Sequence, residues 1–212
     1  MLKRLEKNKV ELAIGIIWLF HTSAIIGIAL GYFQWFIEKT PLNLIIFLVL
    51  FFWVYPVHTV KRLLAFLIFF SCGIFAEWLG VNHGILFGNY EYGNNLGPKL
   101  DGVPYLIGAL WALLTFVCAG IMDYFSISKT LKIFFAALLM VVLDFFMEQS
   151  AHLLDFWTFE NNLASYPNYV TWFLLALALQ LILRALDIKG NRLFSIHIYL
   201  SQLVFFLFFY LR

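Results

Sequence analysis

Three acidic side chains stand where acids are costly. Glu77, Asp144 and Glu148 each fall inside a long apolar run, and His152 and Asp155 follow the last of them. A charged side chain at the centre of a membrane helix costs roughly 2.5–3.5 kcal/mol on insertion scales, so each needs a compensating role. Asp144, Glu148 and His152 are spaced i, i+4, i+8, which lays them along one helical face. At about 1.5 Å rise per residue, Glu148 lies roughly 8 Å and Asp144 roughly 13 Å below the end of their run, and Glu77 roughly 6 Å below the end of its own. A carboxyl group enclosed by apolar side chains tends to keep its proton and can act as a general acid, while a second carboxylate acts as base. Aromatic faces can stabilise a transient carbocation. A pocket of this kind, open to water, suits proton-initiated addition to, or cyclisation of, an isoprenoid double bond. The plainer alternative is a buried polar network that only fixes helix register; three acids and a histidine at matched depth favour the pocket.

Two other chemistries compete. Asp144, Glu148 and His152 are potential metal ligands of a membrane lipid hydrolase, but zinc calls for more convergent histidine, and neither HxxxH nor HExxH occurs. A non-catalytic receptor, transporter or isoprenoid-binding protein is the other class. A retinal protein is disfavoured because the last apolar run, 193–211, has no lysine for a Schiff base. No GxGxxG fingerprint supports a nucleotide-dependent redox step. His21 and His197 are lone histidines in apolar helices and read as hydrogen-bonded core groups. Asp123 and Asp187 are balanced by Lys129 and Lys189 close by, and Cys72 and Cys118 read as small hydrophobes.

The elements that hold the acids are membrane helices. With 63% hydrophobic and 12% charged residues and a mean hydropathy of +0.90, the chain cannot solvate its surface as a water-soluble domain does. The predicted architecture is all-α, a single transmembrane bundle over 1–212 with spans at 12–31, 42–57, 63–81, 103–122, 131–153, 169–186 and 193–211. Pro41 and Pro56 mark the ends of the second and shortest. The basic N-terminus resembles a signal peptide, but its apolar stretch is too long for one and reads as a retained span. With the N-terminus inside, eleven Lys and Arg fall on inner segments and only Lys39, Lys99 and Arg212 on outer ones. Six or eight spans would break that alternation. The small net charge of +2 gives no reason to expect nucleic acid as a partner. Two connections stand apart on the outer side, 82–102 and 154–168, rich in Gly, Asn and aromatics, and the acids lie beneath them.

Two ordered blocks carry a resemblance. The first runs from Glu77-Trp-Leu-Gly-Val-Asn-His-Gly84 through Phe87-Gly-Asn-Tyr90-Glu-Tyr92 to Leu96-Gly-Pro-Lys-Leu-Asp-Gly-Val-Pro104. The second is Asp144-Phe-Phe-Met-Glu148, Phe156-Trp157, Pro167-Asn168-Tyr169 and Trp172. Together, from Gly73 to Trp172, they resemble the integral-membrane carotenoid biosynthesis proteins, whose members include γ-carotene 1′,2′-hydratases and bisanhydrobacterioruberin hydratases. This chain has His83 where the family usually has a small polar residue, Gln149 where it has Pro, and Phe159 where it has Trp. The resemblance implies acid-catalysed hydration of the terminal isopropylidene bond of an acyclic carotenoid, through a tertiary cation to a tertiary alcohol. That step is redox-neutral, so no nicotinamide, flavin or obligatory metal cofactor is implied. Asp144, Glu148 and Glu77 would be the catalytic carboxyls, with Asn82, Tyr90, Tyr92, His152, Trp157 and Asn168 lining the substrate site. The implied setting is a bacterial or archaeal cell membrane, with the lipid bilayer, the carotenoid and other enzymes of its pathway as partners.

Overall fold

The computed structural model describes residues 2–55, 59–160 and 164–212. Its helices are α1 (Leu2–Ala29), α2 (Phe33–Ile37), α3 (Thr40–Val54), α4 (Val60–His83), α5 (Tyr105–Met122), α6 (Lys129–Ala151), α7 (Tyr166–Ala185) and α8 (Arg192–Tyr210). Counting α2 and α3 as one interrupted span, seven helices among the described residues are long and apolar enough to cross a membrane. The chain is an all-α polytopic bundle. Large apolar side chains such as Leu19, Leu67, Phe75, Leu174 and Leu181 face outward, as a lipid environment permits.

The ends differ most from the sequence expectation in the first two spans. The first span begins as helix at Leu2, and its charged first turns are laced by the pairs Lys7–Glu11 and Lys9–Glu6, each about one helical turn apart. The second begins at Phe33: Gly31, at φ +97°, turns the chain out of α1, and Pro41 sits in the first turn of α3, where its missing N–H costs nothing. Pro56, expected to close this span, lies outside the described residues.

The central element is α5, which packs against α3, α4, α6, α7 and α8 and is buried along almost its whole length. Small residues make that possible. A Cβ on Gly108 would meet Ile74 at 2.5 Å, and one on Gly73 of α4 would meet Trp111 at 2.7 Å, so each glycine admits its neighbour. Gln180 of α7 donates to the Thr115 carbonyl at 2.9 Å, and Tyr199 of α8 to that of Leu139 at 2.8 Å. At the predicted inner end Asp123 is held by Arg184 (2.5 Å) and Lys132 (3.8 Å) rather than by Lys129. Both lone histidines are hydrogen-bonded, buried His21 to the Ile17 carbonyl and half-buried His197 accepting from the Trp18 indole, each at 3.0 Å.

The two unusual connections are not separate loops. The first carries β1 (Tyr90–Tyr92), β2 (Lys99–Leu100) and β3 (Val103–Pro104), and the second carries β4 (Trp157–Phe159). β2 and β3 form a small hairpin, while β1 pairs antiparallel with β4, setting Tyr90 opposite Phe159 and Tyr92 opposite Trp157. The pairing is reinforced by Gly93 N–H to the Phe156 carbonyl (2.9 Å) and by the Asn95 amide, which donates to the carbonyls of Leu154 (2.9 Å) and Ile37 (2.8 Å). The two segments therefore form one cap over that end of the bundle.

Candidate active site

Strand alternation builds the roof of the site. Side chains along a strand point to opposite faces, so Glu91 and Thr158 are exposed while Tyr90, Tyr92, Trp157 and Phe159 all turn inward. Beneath them are the three acids. Glu77 is surrounded by donors: the hydroxyls of Tyr90 and Tyr92 donate to Oε2 at 2.5 and 2.7 Å, and the Trp111 indole donates to Oε1 at 2.8 Å. Trp111 is fixed in turn by a parallel stack on Trp172, ring centres 3.7 Å apart. Burial, reinforced by the Glu77 charge, holds both phenols well above their usual titration range.

Glu148 has two donors, Trp157 Nε1 to Oε2 at 2.8 Å and Asn168 Nδ2 to Oε1 at 3.3 Å. Asp144, one helical turn deeper and fully buried, has no hydrogen-bond partner among the described residues for either carboxyl oxygen. Donors stabilise a carboxylate's charge, so the three are graded: three donors at Glu77, two at Glu148 and none at Asp144.

All three acids line one cavity of about 10 Å³, together with Phe87, Tyr90, Tyr92, Trp157, Phe159, Asn168 and Trp172. That is room for roughly one water-sized group. A far larger cavity, about 510 Å³, lies between α1, α2, α3 and α8, and its lining includes Leu96, Leu110, Met147 and Phe156. Trp157 lines both. The indole that orients Glu148 is thus also a wall of the apolar chamber.

Of the residues picked out by sequence, Glu77, Asp144, Glu148, Tyr90, Tyr92, Trp157 and Asn168 come together around the small cavity; Asn82 and His152 do not. Asn82 is exposed and ties α4 to the hairpin, donating to the carbonyls of Trp78 and Asp101. His152 is exposed because α6 stops at Ala151 and because each i+4 step overshoots a turn by about 40°, leaving i+8 about 80° off the Asp144 direction. The grouping of Asp144, Glu148 and His152 as metal ligands is therefore not assembled. Among the described residues no three His, Cys, Asp or Glu side chains are arranged to hold a metal ion. Trp111 escaped the sequence reading. Its signal was a tryptophan in a helix packed with small residues, where a buried N–H needs a partner. His83 sits edge-on to Trp78 at the end of α4 (4.8 Å between ring centres), and Gln149 lets α6 run unbroken past Glu148.

The fold and site define a class: a polytopic helical membrane protein with carboxyl groups buried at one end of its bundle, beside an apolar chamber. The family model described as carotenoid biosynthesis protein matches residues 39–211, and the chain belongs to that family. The match reaches well beyond the two motif blocks into the flanking helices, and the protein's role lies in carotenoid biosynthesis. No curated protein and no solved structure matches the chain.

Proposed function

We propose that the protein is a carotenoid hydratase, adding water across the terminal isopropylidene double bond of an acyclic carotenoid end. The observation that carries this reading is the grading of three carboxyl groups around one small aromatic-walled cavity. Asp144, without donors, is the group suited to carry a proton to the less substituted alkene carbon. The resulting tertiary cation is shielded by the faces of Tyr90, Tyr92, Trp157 and Phe159. Water adds to the cation, and its surplus proton passes to Glu148, which has an acceptor oxygen and two donors to hold it in position. Return of that proton from Glu148 to Asp144, one turn along α6, restores the starting state. Glu77, held by three donors, anchors the aromatic roof, and its ionised form would favour the cation.

The polyene tail has the 510 Å³ chamber as its natural seat, and Trp157, which lines both cavities, marks where its end group would meet the acids. The N-terminus lies inside and the site in the outer part of the bilayer, where water can reach it. The test is expression in cells that accumulate γ-carotene or lycopene, followed by mass spectrometry of the pigments. A gain of one water per reacted end is expected, and is lost in Asp144→Asn and Glu148→Gln. Pigment that co-purifies without any mass gain would identify a binding protein instead.

A further inference from the structure

The cavity that holds the three acids is smaller than an isoprenoid end group. Its volume is about 10 Å³. An apolar cavity of about 150 Å³ is the size that takes one benzene, so a five-carbon end group needs room on the order of 100 Å³. One wall, of roughly the bulk of an aromatic ring, has to withdraw. Most walls are tied. Tyr90, Tyr92, Trp157 and Asn168 are hydrogen-bonded to the acids. Trp172 is stacked on Trp111, which is itself bonded to Glu77. Ile107 belongs to the buried helix α5, and Phe159 lies in β4 opposite Tyr90. Phe87 has no such tie. It is buried, its ring centre 6.4 Å from those of Tyr90 and Trp172, and it stands on a segment that is neither helix nor strand.

That segment is also strained. Leu86 has φ +75°, and the Phe87 N–H donates back to the Ile85 carbonyl at 3.0 Å. These are the marks of a left-handed γ-turn, which is costly for a side chain as bulky as leucine. Such a conformation persists only where its surroundings hold it. Here the Thr171 hydroxyl of α7 donates to the Leu86 carbonyl at 2.7 Å. Gly84 and Gly88, at φ +63° and +94°, bound the turn, so it can change course without dragging α4 or β1 along. Ile85 and Leu86 are already exposed, and in a bilayer a ring swung out to join them exchanges one apolar setting for another. We propose that Phe87 is the movable wall of the acid cavity and the Thr171 hydroxyl its latch. Release of the latch lets the Leu86 turn relax and the ring withdraw, which makes room for an apolar group beside Asp144 and Glu148. The gate stands on this geometry. That the admitted group is the end of an acyclic polyene rests on the hydratase reading.

Dicyclohexylcarbodiimide, an apolar reagent that couples to protonated carboxyl groups, tests the gate without requiring turnover. The full chain in proteoliposomes is exposed to the reagent, and the rate of adduct formation at Asp144 or Glu148 is followed by peptide mass spectrometry. Thr171→Val should speed labelling about fivefold, the worth of one neutral hydrogen bond, while Thr171→Ser, which keeps the hydroxyl, labels like the wild type. Phe87→Ala, which removes the ring, should gain on the order of tenfold or more. Phe87→Leu, expected to fall between it and the wild type, gives the same reading if Phe87→Ala folds poorly. Arg184→Met, which loosens the opposite end of the bundle, should leave the rate unchanged. No response to Thr171→Val or to the Phe87 variants overturns the proposal, and so does an equal response to Arg184→Met. Absence of any adduct, even in Phe87→Ala, overturns it as well. Labelling that quickens as expected while no pigment gains water would sink the hydratase reading and leave the gate standing.

Discussion

Replacing Glu77 by leucine should damage the protein far more than the loss of one side chain suggests. Three donors converge on that carboxylate, from Tyr90, Tyr92 and Trp111, and all three side chains are buried. Leucine leaves each donor without an acceptor at about 1–3 kcal/mol apiece, so the three sum to roughly 3–9 kcal/mol. A whole domain is typically stable by only about 5–15 kcal/mol, so Glu77→Leu should sit near the edge of folding. Glu77→Gln should be milder. Its amide oxygen can face the Trp111 N–H while its NH₂ faces two hydroxyls that can rotate to accept, leaving a cost of about 1–2 kcal/mol for the lost charge. The sharpest case is the quadruple variant Glu77→Leu, Tyr90→Phe, Tyr92→Phe, Trp111→Phe. Removing donors and acceptor together leaves nothing orphaned, so it should recover to within about 2 kcal/mol of the wild type and be more stable than Glu77→Leu alone. Unfolding in mixed micelles by titration with SDS, followed by far-ultraviolet circular dichroism, measures each difference. If Glu77→Leu lies within about 1 kcal/mol of the wild type, or the quadruple variant is the less stable of the two, the convergence of donors is not what holds this end of the bundle together.

Trp157→Phe removes the 2.8 Å donor to Glu148 and leaves only the 3.3 Å bond from Asn168. With a hydrogen bond to a charged group at about 1.5–3 kcal/mol, hydration measured in membranes should fall on the order of 10- to 100-fold at unchanged protein abundance. The folded protein holds the Tyr90 and Tyr92 protons more tightly than the unfolded chain, whose phenols titrate near pH 10. Stability contributed by these groups is therefore fully present below about pH 10 and declines above it, by as much as about 1.4 kcal/mol per pH unit for each tyrosine. Tyr92→Phe should remove one such increment from the slope of unfolding free energy between pH 10 and 11. Arg184→Met strips Asp123 of its 2.5 Å partner and leaves Lys132 at 3.8 Å. A loss of about 3 kcal/mol is expected in the same unfolding assay, most of it recovered in Asp123→Asn/Arg184→Met.

The seven spans were legible because lipid leaves few options: a run of about 20 apolar residues can satisfy its backbone there only as a helix. The acids were legible for the same reason, since Glu77, Asp144 and Glu148 are conspicuous against Leu and Phe. The register of the cap was not. Tyr90–Tyr92 and Trp157–Phe159 are three residues each, too short for alternation to stand out, and their pairing joins positions 67 residues apart in sequence. Trp111 was hidden because a tryptophan facing lipid and one donating to a carboxylate read alike in a row of apolar letters. His152 shows the limit of spacing as a guide, for the helix carrying it ends one residue too soon.

The pairing of β1 with β4 makes the site intolerant of insertion. Tyr90 and Tyr92 serve Glu77, Trp157 serves Glu148, and the four inward side chains share one strand register. Because side chains alternate, sliding either strand by one residue would turn its inward pair to the outside at a stroke. One extra residue that slid a strand, even far from any acid, would thus disarm the carboxylate that strand serves, Glu77 through β1 or Glu148 through β4. A lineage could change the length of these connections only where a second alteration restored the count, so the cap acts as a reading frame for the chemistry beneath it.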